Sequence, residues 1–107
     1  MIDTPDGRYF VLKGRLWRRT NPALDEPTRQ RWVDALMDAR RAVKAAKASG
    51  DTQQLKQARE QVQRAKVALG ERGPVWWTDG SPDFNRYNVV NTPYADWFDK
   101  HSDTNPQ

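Results

Sequence analysis

The sequence predicts an α+β fold: a small N-terminal β-strand or hairpin, a long antiparallel helical hairpin, and an aromatic C-terminal segment with short helices. Three observations lead there. An alternating run of β-branched and aromatic residues occupies positions 8–18. Two highly charged stretches with helical apolar spacing fill positions 26–69, and most of the large rings lie in positions 74–98. At 107 residues the chain fits one domain, expected over residues 1–98, with a flexible tail over 99–107. Mean hydropathy is −1.01, so apolar material is scarce and must be concentrated. Five Trp, three Tyr and three Phe supply it.

Thr4-Pro5-Asp6-Gly7 reads as a turn, because Pro presets φ and Gly accepts the geometry that follows. The strand region 8–18 comes next. Read as one extended strand, it puts Phe10, Leu12 and Leu16 on a shared face, with Gly14 either a bulge or the turn of a hairpin. Ile2 is placed to pair back across the first turn. Asn21-Pro22 marks a cap and a short turn.

The first long helix is expected to start near Asp25–Pro27 and run to Ser49, where Gly50 stops it. Asp51 caps the second helix, with Gln54 at the reciprocal position of a capping box, and Gly70 follows its end at Leu69. A link this short makes the two helices antiparallel neighbours. Leu55, Ala58, Val62, Ala65 and Leu69 recur at heptad spacing along the second helix. On the first, Ala35, Ala39, Ala42 and Ala46 form a ridge suited to close approach. Trp32, Val33, Leu36 and Met37 make a second apolar stripe near its start, which the rest of the domain is expected to cover.

After Gly73-Pro74, the segment is turn-rich and aromatic. Ser81-Pro82 reads as the cap and first position of a short helix through about Tyr87, and Thr92-Pro93 repeats that signal before Tyr94–Phe98. The Trp76-Trp77 pair is expected to place at least one ring in the core, the alternative being a stacking platform for a ligand.

The residue inventory excludes several chemistries. With no cysteine, there are no disulfides or thiolate metal sites. The single histidine, His101, lies in the predicted tail, and Ser49, Ser81 and Ser102 sit where turns or caps explain them. Asp79, Asp83 and Asn85 resemble a calcium loop at first sight. Pro82 interrupts it, however, and Val90 stands where the closing Glu belongs, so Asx turns explain them better. No phosphate-cradling glycine loop occurs. No catalytic residue, cofactor or metal ligand is expected. The N-terminus lacks the basic and apolar regions of a secretory signal, and no run approaches the ~20 apolar residues of a membrane span, so a cytoplasmic location is expected.

Charge is uneven. Residues 40–72 carry nine Lys/Arg and three Asp/Glu, whereas residues 73–107 carry two and five. Arg40, Lys44 and Lys47 recur on one side of the first helix, and Lys56, Arg59 and Lys66 form a similar edge on the second. These six are the candidate surface for an anionic partner; the bland alternative is a solvated helix face. Arg15-Leu16-Trp17-Arg18-Arg19 also interleaves basic and aromatic residues, with arginine expected on the wet face of a strand and Trp17 partly exposed.

Several blocks together are similar to a family of small bacterial proteins of unknown function. They are Pro5–Phe10, Gly14–Pro22, Ala68–Gly80 and Asn91–Ala95. Members sometimes carry an automatic label as biopolymer or Tol transporters. Energising subunits of such transporters need a membrane anchor, so the resemblance implies a bacterial source and no mechanism. The function expected is that of a non-catalytic interaction or structural module with a protein partner. Nucleic-acid binding through the basic hairpin comes second and an uncharacterised enzyme third.

Overall fold

A tight turn organises the N-terminal strands. Lys13 and Gly14 both have positive φ, at 53° and 76°, the pattern of a two-residue type I′ hairpin turn. The chain runs through β1 (Ile2–Asp3), β2 (Tyr9–Leu12) and β3 (Arg15–Arg18), which form an antiparallel sheet in that order. Ile2 pairs with Val11, and Val11 with Leu16. Gly14 is therefore the turn of a hairpin, and this changes the predicted face. Directly opposed residues share a side, so Tyr9, Val11, Leu16 and Arg18 are the buried set. Phe10 is half-buried and Leu12 is exposed, because the turn reverses the chain between them and Leu16. The computed structural model describes residues 2–103, which divide into two units: residues 2–19 with 77–103, and residues 20–76.

The first unit packs its sheet with rings from the C-terminal segment. Tyr9 is fully buried and makes edge-on contacts with Trp77 and Tyr94, each at 5.6 Å between centroids. Its hydroxyl accepts a hydrogen bond from the Phe84 backbone N–H at 2.8 Å. Trp77 is buried too, and its Nε1 donates to the Ser81 carbonyl.

Residues 81–87 do not form the predicted helix. The N–H of Arg86 donates to the Leu16 carbonyl at 2.7 Å, and the N–H of Leu16 to the Tyr87 carbonyl at 2.9 Å. Val89 likewise donates to Gly14. The open edge of β3 recruits this segment as a partner, and the local cap signal loses to those long-range bonds. After a 3₁₀ turn over Val89–Asn91 comes the last helix, α3 (Ala95–Asp103), which runs five residues past the predicted end at Phe98.

In the second unit, α1 (Glu26–Ser49) and α2 (Thr52–Leu69) form the hairpin. Asp25 caps α1 by accepting from the Thr28 N–H, and Asp51 caps α2 by accepting from Gln54. The predicted reciprocal bond is replaced: the Asp51 N–H donates back to the Ala46 carbonyl, finishing α1 in a Schellman-type cap. Gly70 ends α2 the same way with φ of 83°, and a Cβ there would meet Trp76 and Asn21 at 3.0 Å. Backbone conformation and space both require glycine at this position.

The seam of α2 is the predicted one, with Ala58, Ala65 and Leu69 buried and Leu55 and Val62 half-buried. The seam of α1 is not the alanine ridge. Ala42 is exposed, whereas Trp32, Leu36, Ala39, Val43 and Ala46 turn inward. Their spacing of 4, 3, 4, 3 follows the heptad of α2; the ridge of Ala35, Ala39, Ala42 and Ala46 drifts off that line at Ala42. Met37 is exposed as well. Leu36, Ala65 and Leu69 form the hairpin core, closed by Leu24, Trp32, Val33 and Val62 from the same unit.

Candidate anionic-partner interface

The cations of the hairpin follow from its seam. Arg40, Lys44 and Lys47 each come one residue after a seam residue of α1, and Lys56, Arg59 and Lys66 do the same on α2. An antiparallel pair has a local twofold axis perpendicular to the plane of its two helices. That axis carries the flank of one helix onto the same side of the other, so both basic edges share one face. One residue of each edge meets the other there: Arg40 and Arg59 line one groove of about 400 Å³ with Val43 and Val62. Along the helices the edges extend roughly 10 Å on α1 and 15 Å on α2, at 1.5 Å per residue.

Arg40, Lys44, Lys47, Lys56 and Arg59 are exposed, and Lys66 is half-buried. None of these five exposed cations has an ion pair or hydrogen bond among the described residues. Asp38 pairs with Arg41 and Glu26 with Arg29, while Glu60 lies beside Lys56 and Arg59 with no ion pair among the described residues.

One further cation belongs to this face and carries no sequence signal there. Arg72 lies beyond the end of α2, yet it lines the groove with Arg40 and Arg59. Its Nη1 donates to Gln63 Oε1 at 2.8 Å. Gln63 occupies the α2 edge between Arg59 and Lys66, where a cation is missing from the row. The tether supplies one from the following loop.

A second groove of about 530 Å³ runs along α2 and shares Arg59 as a wall. Leu55, Lys56 and Gln63 also line it, and Glu60 is the one acid among its lining residues.

The other concentration of polar groups lies in the sheet unit. Arg8 stacks over the Trp77 ring at 4.8 Å and pairs with Asp79. That hydrogen bond, with those from Ser81, holds the Asp79 carboxyl down at about 2. Tyr94 Oη donates to Asp6 at 2.5 Å. Partial burial works to raise the Asp6 pKa, but the bonds from Tyr94, Thr4 and the Arg8 N–H outweigh it and lower it. Burial, then the bond to Asp6, pushes the Tyr94 phenol well above its ordinary value. The shifts hold the carboxylate ionised and the phenol protonated.

Other sequence candidates have structural partners. Arg18 is not on a wet face: its side chain is fully buried and its Nη1 donates to Asp83 at 3.0 Å. The hairpin register turns it inward beside Leu16. Arg15 donates to the Arg86 carbonyl. Trp17 is half-buried, and its Nε1 is enclosed without an acceptor, a cost of about 1–3 kcal/mol. Asp79 and Asp83 accept from the backbone N–H two residues on, as Asx turns do, and Asn85 accepts from the Arg18 N–H. Trp76 is half-buried.

Comparison with known proteins finds no family model, no curated protein and no solved structure that matches this chain. Among the described residues, no helix is long and apolar enough to cross a membrane.

Proposed function

We propose that this protein is a non-catalytic interaction module that takes an anionic partner along the basic face of its helical hairpin. One observation carries the proposal: Arg40 of α1 and Arg59 of α2 converge on a single groove with no acid in its lining, and neither forms an ion pair among the described residues. Unpaired guanidinium groups are suited to carboxylate or phosphate. The non-catalytic part draws on the sheet unit. Its interacting titratable groups, Asp6 with Tyr94, are shifted away from neutrality in opposite directions, which suits a structural latch and not proton transfer near neutral pH. A cytoplasmic location is part of the proposal and draws on the cysteine-free composition.

The experiment is a titration with poly-glutamate, duplex DNA and duplex RNA at about 20 mM and about 150 mM salt, where screening differs strongly. Binding of at least one polyanion should weaken with salt. Changing Arg40, Lys44 and Lys47 together to Glu should abolish it while the melting temperature stays within a few degrees, since all three are exposed. Absence of binding to every polyanion at the lower salt removes the proposal, and undiminished binding by the triple variant moves it off this face.

A further inference from the structure

We infer that the partner of this face is an acidic amphipathic helix, seated with its apolar stripe on Val43 and Val62 and its carboxylates on Arg40, Arg59 and Arg72. This rests on the anionic-partner proposal and narrows it to one class of partner.

The shape and lining of the groove decide the class. Val43 and Val62 are seam residues of two different helices, and both remain half-buried in the completed hairpin. Their neighbours along the seams, Ala39, Ala46, Ala58 and Ala65, are buried and small. Such alanines let the helices approach closely and leave the larger valines bordering the open groove. A trough between two helices with an apolar floor and charged walls is the shape a third helix fills. The adjoining groove continues this surface along α2 from Thr52 to Gln63, about 16 Å or three helical turns. Leu55 lies half-buried in it and extends the apolar line.

The charges select the flanks of that helix. Guanidinium groups stand on both walls, two on helices and the third held by Gln63. A carboxylate on each side of an apolar stripe would meet them with paired N–H donors.

Nucleic acid fits the same charge but not the floor. A duplex presents phosphates, which need cations and gain nothing from recessed valines. Single strands bind by stacking bases on rings, and neither groove has an aromatic residue in its lining.

The test uses the intact protein and a synthetic peptide of about 18 residues, long enough to cover three turns and fray at its ends. It carries leucines at helical spacing and glutamates on both flanks. Its control has the same composition with the leucines scrambled out of register. Methyl resonances of Val43, Val62 and Leu55 are followed by NMR during each titration, alongside duplex DNA and RNA. The amphipathic peptide should shift the Val43 and Val62 methyls and bind about ten-fold or more tightly than the scrambled one, the equivalent of about two buried methylenes. Arg59→Gln, at an exposed position, should weaken the amphipathic peptide several-fold.

Equal binding of the two peptides, or valine methyls that stay fixed at saturation, overturns the inference and leaves the anionic-partner proposal standing. Duplex nucleic acid that binds more tightly than the amphipathic peptide overturns it in favour of a nucleic-acid partner. Failure of every anionic probe removes both.

Discussion

The two units of this protein treat arginine in opposite ways. In the sheet unit, Arg18 is fully enclosed and paired with Asp83, and Arg8 lies over Trp77 while paired with Asp79. In the hairpin, Arg40 and Arg59 stand exposed beside two valines and form no ion pair among the described residues. The cores differ in parallel. One is built from rings in edge-on contact, the other from alanines with Leu36 and Leu69 at one end. A guanidinium can be buried only where its partner is buried or fixed beside it, because an unpaired buried charge costs several kcal/mol. The short strands and the long return of the chain bring such partners together. A two-helix hairpin has a single buried line and no second layer to hide a charge in, so its cations remain at the surface.

The largest expected effect tests the ring core. Tyr9→Ala removes both edge-on contacts and strands the Phe84 N–H, so it should cost about 3–5 kcal/mol in urea denaturation. A loss below about 1 kcal/mol would show that the sheet unit does not depend on these rings.

A smaller effect separates the alanines of α1. Ala39 is buried in the seam and Ala42 is exposed. Ala39→Leu should cost about 1–3 kcal/mol through overpacking. Ala42→Leu should change stability by under about 0.5 kcal/mol. Equal costs would mean that the ridge predicted from alanine spacing is the true contact after all.

The smallest effect is the acid limb of the sheet unit. Asp79 titrates at about 2 in the folded state against an ordinary value of 3.8. A depressed carboxyl contributes stability that is present above the ordinary value and lost as pH falls through the folded one. Asp79→Asn should therefore be slightly less stable than the parent at neutral pH, with the difference closing between about pH 4 and pH 2. A constant difference across that range, read from denaturation midpoints, would detach Asp79 from Arg8.

Local signals decided much of what was legible in the sequence. The start of α1 near Asp25–Pro27, Asp51 as a cap, Gly50 and Gly70 as stops, and the seam of Leu55, Ala58, Val62, Ala65 and Leu69 all stand in the structure where the spacing puts them. These depend on neighbours within four residues, so the sequence carries them whole. Ser81-Pro82 carried a local signal of the same kind and failed. Its backbone groups had competing partners on β3, about 70 positions away, and local propensity does not report those.

The basic face divides along the same line. By itself the sequence determined that the hairpin would form and that each helix would carry a row of cations beside its apolar line, since 3.6-residue periodicity fixes both. Only the tertiary structure decided which alanines of α1 would be buried, because that depends on the seam of the partner helix. It also decided that Arg40 and Arg59 meet in one groove and that Arg72 joins them there, held by Gln63. Arg72 lies outside the helix, where no periodicity applies. Its Nη1 donates to a side chain nine residues back along the chain, an approach made by the turn of the chain after Gly70.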